Sequence, residues 1–221
     1  MSEESKPAAK MPVPESLILS SSPHVRDAAS VPKIMLAVMI CLLPACLAGV
    51  WFFGFKALKV IVLCTFFCVA FEMLWCKLAG VPQTWRDWSA ALTGMILAMN
   101  LSADIPWWIC AVGAFIAIVI AKQAYGGLGH NPFNPAAVAR VALLVGFTGP
   151  MTTMWIKPSP GQMMADAVTE ATPLNLAKAA IGSAERMAQL DAPKMLMDCF
   201  TGNIGGCLGE TSAIALAAGG I

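Results

Sequence analysis

The stretch Ile34-Met-Leu-Ala-Val-Met-Ile-Cys-Leu-Leu-Pro44-Ala-Cys-Leu-Ala-Gly-Val-Trp51-Phe-Phe53 carries no charged side chain. A helix rises 1.5 Å per residue, so this run is ~30 Å long, the thickness of a bilayer's hydrocarbon core. Pro44 falls mid-span and predicts a kink. Trp51, Phe52 and Phe53 suit the interfacial aromatic belt. The whole chain of 221 residues has the same character, at 58% hydrophobic and 12% charged. A soluble domain is about 25% charged, so most of this chain has no water-facing surface to cover. The expected fold is all-α, a polytopic transmembrane helix bundle, and its first partner is the lipid bilayer. A net charge of +1 argues against nucleic acid as a partner, because such binders show a basic face.

On the N-terminal side of this run, residues 1–33 are polar, with Pro, Ser and Lys but no apolar h-region. They are not a secretory signal and read as a mostly mobile tail. Within it, Ser20-Ser-Ser-Pro23-His24-Val25-Arg26 suits docking on a partner or on the membrane surface. On the other side, residues 55–59 read as a short turn and 60–76 as a returning span with Glu72 near its end. An ionisable group inside a span is a functional candidate by default. The competing expectation, and the ordinary one, is an interfacial Glu72 paired with Lys77.

Residues 89–99 are apolar but too short to span, and Asn100 and Asp104-Ile-Pro106 interrupt them. This pattern predicts a broken or re-entrant helix, tolerated only where protein or a cavity covers its backbone. Residues 107–121 are the next span, ending at Lys122. Residues 136–155 are another, with Arg140 in the first turn and a break at Gly149-Pro150. A polar segment, 156–198, follows. Within it 173–187 has helical spacing and is expected at the surface. The organisation is thus a tail (1–33), a transmembrane bundle (34–155), an extracytoplasmic loop (156–198), and a glycine-rich turn with the start of a further transmembrane helix (199–221). The abrupt end of that last helix suggests a truncated chain.

With residues 89–99 counted as a crossing there are five. A cytoplasmic tail then groups Lys6, Lys10, Arg26, Lys33, Lys77, Arg86, Lys122 and Arg140 inside, and Lys56, Lys59, Lys157, Lys178, Arg186 and Lys194 outside. The bias, eight against six, follows the positive-inside rule. It places the Asn131 turn inside and the loop after residue 155 outside. Were residues 89–99 not to cross, this assignment would reverse.

The 8 cysteines include no C-x2-C, so no metal signature appears. Cys64 and Cys68 share one helix face inside an apolar run and read as small packing residues. A Cys199–Cys207 disulfide across the glycine-rich stretch remains open.

Three motifs remain. Asp166-Ala-Val-Thr169-Glu170-Ala-Thr172-Pro173 sets two hydroxyls and two carboxylates beside a proline. No His or Lys lies within it, so it is poor evidence for a nucleophilic hydrolase. By itself such a string is an ordinary helix cap. In His130-Asn131-Pro132-Phe133-Asn134-Pro135, Pro135 suits the first helical position and Asn134 the N-cap. Carboxamides donate and accept at once, which suits the edge of an isoalloxazine ring. The competing reading is a capped broken helix. His130 reads as structural. Gly202-Asn-Ile-Gly-Gly-Cys-Leu-Gly-Glu210 has the look of a dinucleotide fingerprint, but no strand precedes it. A tight turn into a half-helix fits better.

Together these strings resemble the D-type subunits of the Rnf complex, the ion-translocating ferredoxin:NAD oxidoreductase. The likeness to the B-type subunits of the sodium-translocating NADH:quinone oxidoreductase is more distant. The resemblance runs from Ser20-Ser-Ser-Pro-His through Gly126-Gly-Leu-Gly-His-Asn-Pro-Phe-Asn-Pro-Ala136 and Asp166–Pro173 to Gly205-Gly-Cys-Leu-Gly-Glu-Thr-Ser212 and Gly219-Gly220. It implies the first half of an inverted-repeat, transporter-like fold. It implies a phosphoester of FMN on Thr172, made by a flavin transferase, with Asp166 and Thr169 as the other motif positions. Glu170 departs from the glycine usual there and sets bulk and charge beside the incoming phosphate. The resemblance also implies a non-covalent riboflavin near Asn131 and Asn134. Its implied partners are the other subunits, including a second FMN-bearing subunit and iron-sulfur subunits. The implied location is the bacterial inner membrane.

Two functions compete. One is an electron-carrying subunit, coupled to Na+ or H+ movement, with no complete active site of its own. The other is a cofactor-free solute channel or transporter, resting on the broken segments.

Overall fold

The computed structural model describes residues 30–81, 84–161, 172–181, 192–210 and 212–220. Asp166, Thr169 and Glu170 lie outside the described residues. Three helices are long and apolar enough to cross a membrane: Val31–Phe53, Phe55–Ala79 and Trp107–Tyr125. The described residues form an all-helical bundle around them.

Helix α1, Val31–Phe53, starts with proline in its first turn and contains Pro44. It is peripheral: Leu47 and Trp51 are 67% and 63% exposed, as lipid-facing residues should be. Gly54, at φ 64°, ends α1 and begins α2, Phe55–Ala79, with no intervening loop. The turn expected over 55–59 is therefore the first helical turn of α2. One residue with positive φ reverses the chain where glycine meets no Cβ penalty.

The buried residues of α2 are Ala57, Val60, Cys64, Cys68, Glu72 and Cys76. Their spacing of three and four makes a single stripe. Small side chains on it let α3, Ser89–Met99, come very close. A β-carbon on Gly94 of α3 would lie 2.6 Å from the Thr65 Cα, so only glycine fits this crossing. All residues of α3 except Ile96 are buried, which accounts for its lack of an apolar stripe. A helix buried all round needs no polar face.

Helix α3 ends at Asn100, and residues 101–106 are not helical. Leu101, Ser102, Ala103 and Ile105 are nonetheless buried. This is the expected broken helix, with its irregular backbone covered by protein. Helix α4, Trp107–Phe115, then passes into a π-turn at Ile116–Ile120. Side-chain ties fix the path. Ser89 and Lys122 meet near Glu72, whereas Asp104 meets Lys56. Lys56 and Glu72 lie ~24 Å apart along α2 at 1.5 Å per residue. Helix α3 alone covers ~16 Å, and the extended residues after it supply the rest. Residues 89–104 therefore cross, and α4 returns.

Helix α5, Pro135–Gly146, begins again at the Lys122 end. Its Leu143 lies against the mid-helix residue Gly113, and Phe147 stacks edge-on to Trp108. The expected break at Gly149-Pro150 instead falls at Phe147. Those two residues lie inside a short helix α6, Thr148–Thr153. Backbone bonds from Ser159 and Gly161 to Phe52 and Trp51 then hold the emerging chain at the Lys56 end. With this fifth crossing, α1 starts at one end, and the segment after residue 155 leaves from the other.

Helix α7 is Pro173–Ile181 and α8 is Ala192–Thr201. Helix α8 takes in Cys199, which was expected in the glycine-rich turn. Helix α9, Ala213–Gly220, runs along α1, where Gly219 meets the Cys41 carbonyl. Cys199 and Cys207 are both free thiols, so the possible disulfide between them is not formed. Among the described residues no cluster of three or more His, Cys, Asp or Glu is disposed to hold a metal.

Candidate functional site: a charged cavity at one end of the bundle

Glu72 and Lys122 come from different crossings and meet inside the bundle. Lys122 Nζ lies 2.8 and 3.0 Å from the two carboxylate oxygens of Glu72, and 2.6 Å from Ser89 Oγ. The side chains are 0% and 2% exposed. An ammonium has three protons to donate, and these three contacts match them. Thr84 Oγ1 and Gln123 Nε2 also reach Glu72 Oε1, at 2.6 and 3.0 Å. The carboxylate is thus wrapped by donors from two segments, Thr84 before α3 and Lys122-Gln123 at the end of the span that α4 begins. Taking two charges out of water costs several kcal/mol per ion, and only such saturation offsets it.

The expected partner of Glu72, Lys77, is not the partner observed. Lys77 is exposed in the last turn of α2, whereas Glu72 points along the buried stripe. The true partner is 50 positions away, a separation that reading along one helix does not reveal. One signal was present in the sequence. Each residue is an ionisable group at the edge of an apolar run, of opposite sign, and buried charges in membranes pair.

The local fold presents Lys122 and Ser89 to a cavity. Asp87 Oδ1 accepts the N–H and hydroxyl of Ser89, at 2.9 and 2.6 Å, which fixes the start of α3. Trp88 takes a left-handed conformation, φ 65°, to make that turn. At the start of α5, Asn134 Oδ1 accepts the Ala136 N–H at 3.0 Å, and Pro135 is the first helical residue. The sequence predicts both features. Asn131 Nδ2 donates to the Phe133 carbonyl at 2.7 Å. A cavity of about 270 Å³ lies between these elements, lined by Ser89, Leu92, Lys122, Asn131, Asn134 and Pro135 among others. The two asparagines therefore do come together, and Lys122 and Ser89 join them. The cap uses Asn134 Oδ1 and the turn uses Asn131 Nδ2. His130 is exposed beside Gly126.

Thr172 lies elsewhere. It precedes α7, and its Oγ1 accepts the Asn175 N–H at 3.4 Å, a capping role. The described residues before it, Ser159 and Gly161, are held at the Lys56 end by backbone bonds to Phe52 and Trp51. The chain returns through Gly202–Glu210, a turn buried at Gly205–Leu208 that meets the break after α3. Leu208 N–H donates to the Leu101 carbonyl at 3.1 Å. A β-carbon on Gly209 would lie 2.9 Å from the Met99 Cβ. Arg140 is not in the first turn of its helix, as expected, but one turn further in. It reaches Cys207 Sγ at 3.5 Å and Met151 Sδ at 4.0 Å.

The profile of the NQR2, RnfD, RnfE family matches residues 18–221. The D subunit of the Na(+)-translocating ferredoxin:NAD(+) oxidoreductase complex of Acetobacterium woodii is 44% identical over 207 residues, covering 93% of this chain and 61% of that one. The D subunit of the proton-translocating ferredoxin:NAD(+) oxidoreductase complex of Clostridium ljungdahlii is 45% identical over 204 residues, covering 92% and 60%. The D subunit of the ion-translocating oxidoreductase complex of Rhodobacter capsulatus is 38% identical over 221 residues, covering 91% and 61%. The chain thus spans about three fifths of the length of these relatives.

Proposed function

The chain belongs to the NQR2, RnfD, RnfE family, and on that premise we propose that it is an electron-carrying membrane subunit of an ion-translocating ferredoxin:NAD oxidoreductase complex. FMN esterified to Thr172 serves one end of the bundle, and a non-covalent riboflavin near Asn131 and Asn134 serves the other. The flavins supply the redox chemistry, and the protein supplies position and electrostatics.

One observation carries this reading: the hydroxyl that the family motif marks out is also the cap of α7. An ester phosphate on that oxygen would sit at a helix N-terminus, where open N–H groups and the dipole favour negative charge. Pro173, the first residue of α7, has no N–H to lose there. A relay across a bilayer would need the Thr172 flavin at the end opposite the Asn131 cavity, and Ser159 and Gly161, the described residues before it, are held at the Lys56 end. The N-terminal tail would be cytoplasmic, the Thr172 loop outside, and the membrane the bacterial inner one. The other subunits, among them a second FMN-bearing subunit and iron-sulfur subunits, would supply and remove electrons. A flavin transferase would make the ester.

The coupling ion does not follow from overall similarity. Relatives named for Na+ and for protons match this chain almost equally, at 44% and 45% identity.

Mass analysis of the peptide spanning residues 166–173, from protein matured with its flavin transferase, tests the proposal. The expected result is one added FMN on Thr172, and Thr172→Ala should abolish flavin fluorescence in denaturing gels. A bare Thr172 in fully matured protein would sink the relay and leave the cofactor-free transporter, which the two buried irregular segments would suit.

A further inference from the structure

The cavity beside Asn131 and Asn134 holds a group that the family motif does not mark. We propose that Lys122, pinned by Glu72 and Ser89, is the positive group that sets the reduction potential of a non-covalent flavin ring seated in that cavity. The inference rests on the reading of this cavity as a flavin site.

The geometry makes the pair one-sided. Lys122 and Ser89 line the cavity, whereas Glu72 does not. Glu72 stands behind Lys122 and is wrapped by Lys122, Gln123 and Thr84. The face toward the cavity is therefore the cationic one. All three ammonium donors are engaged, so the charge is held at a fixed place. Leu92 and Ile96 on the cavity wall lower the local dielectric and lengthen the reach of that charge. Asn131 and Asn134 can hydrogen-bond the ring edge in either redox state, since a carboxamide both donates and accepts. They orient the ring, while Lys122 discriminates between its charge states. The exchange is one electron in from a one-electron donor and out to a one-electron acceptor. No bond forms or breaks, and the ring gains one negative charge. Lys122 favours that reduced state and raises its potential. It acts through space, as a tuning residue.

The test is a mediated redox titration of the whole purified complex, following the flavin that denaturation releases. The covalent flavins serve as internal references. Lys122→Gln should lower the released flavin's potential, and Glu72→Gln should raise it, with the references unmoved. Each change should alter the ratio of reduced-state to oxidised-state affinity at least tenfold, which is 59 mV for a one-electron couple. A merely structural role would not give opposite signs. Where a single variant fails to assemble, Glu72→Gln/Lys122→Met replaces the pair together. Its potential should fall below wild type, because the nearer charge is lost. Potentials unchanged in all variants, or shifted the same way in both singles, would overturn the role of Lys122 and leave the flavin site standing. A wild-type complex that releases no flavin, or an Asn131→Ala/Asn134→Ala variant that keeps its full complement, would overturn both.

Discussion

Two of the bundle's ion pairs have equal length and unequal meaning. Lys56–Asp104 and Lys122–Glu72 each close at 2.8 Å. The first pair is 39% and 37% exposed, and the second 2% and 0%. At the first, water screens the charges, and the pair contributes roughly 0.2–1 kcal/mol. At the second, each charge depends on its partner, and loss of one leaves the other stranded in a low dielectric. Separation alone does not rank interactions; the surrounding medium does. The exposed pair fastens a loop to the start of α2, whereas the buried pair joins three crossings at the cavity.

The largest test of this contrast is Lys122→Met, which leaves Glu72 buried without its cation. It should destabilise the bundle by about 3–5 kcal/mol, read as a lower unfolding midpoint in a detergent titration. The double variant Glu72→Gln/Lys122→Met should cost less than either single, since replacing a buried pair as a unit is often close to neutral. A double that cost the sum of the singles would erase the contrast between the pairs. Between the two pairs lies the α2–α3 crossing. Gly94→Val places a side chain where a β-carbon is already 2.6 Å from Thr65 Cα. A loss of about 1–3 kcal/mol is expected, in the same titration. Asn134→Ala removes one helix cap beside the cavity and should cost about 1 kcal/mol. Lys56→Gln, at the exposed pair, should cost under about 1 kcal/mol and become undetectable at high salt. A larger effect would mean that Asp104 supports the buried break behind it.

The sequence was most legible where one local rule decided the outcome. The uncharged run before Gly54 specified α1, and Asn134-Pro135 specified the cap of α5, each without reference to any other element. The break after Met99 was also readable, because Asn100, Asp104 and Pro106 interrupt an apolar pattern. Legibility failed where the deciding partner is remote in the chain. Lys77 is near Glu72 in sequence and lies on the same helix, but the stripe that carries Glu72 faces the crossing that ends in Lys122. The cavity is likewise a product of three chain segments, so its asparagines were visible while Ser89 and Lys122 were not. The break in residues 136–155 was misplaced because Gly149-Pro150 is tolerated in the first turn of α6, and the chain bends one step earlier, at Phe147.

One detail of α4 governs whether the cavity has its cation at all. The π-turn at Ile116–Ile120 takes up one residue more than an α-helical turn and so shifts the phase of everything after it by about 100°. A helical wheel drawn from Trp107 misassigns the residues beyond this turn. Were the turn wound tight without deleting a residue, the ammonium of Lys122 would swing a quarter-circle or so away from Glu72. The composition of the chain would be untouched, and the cavity would lose its cation.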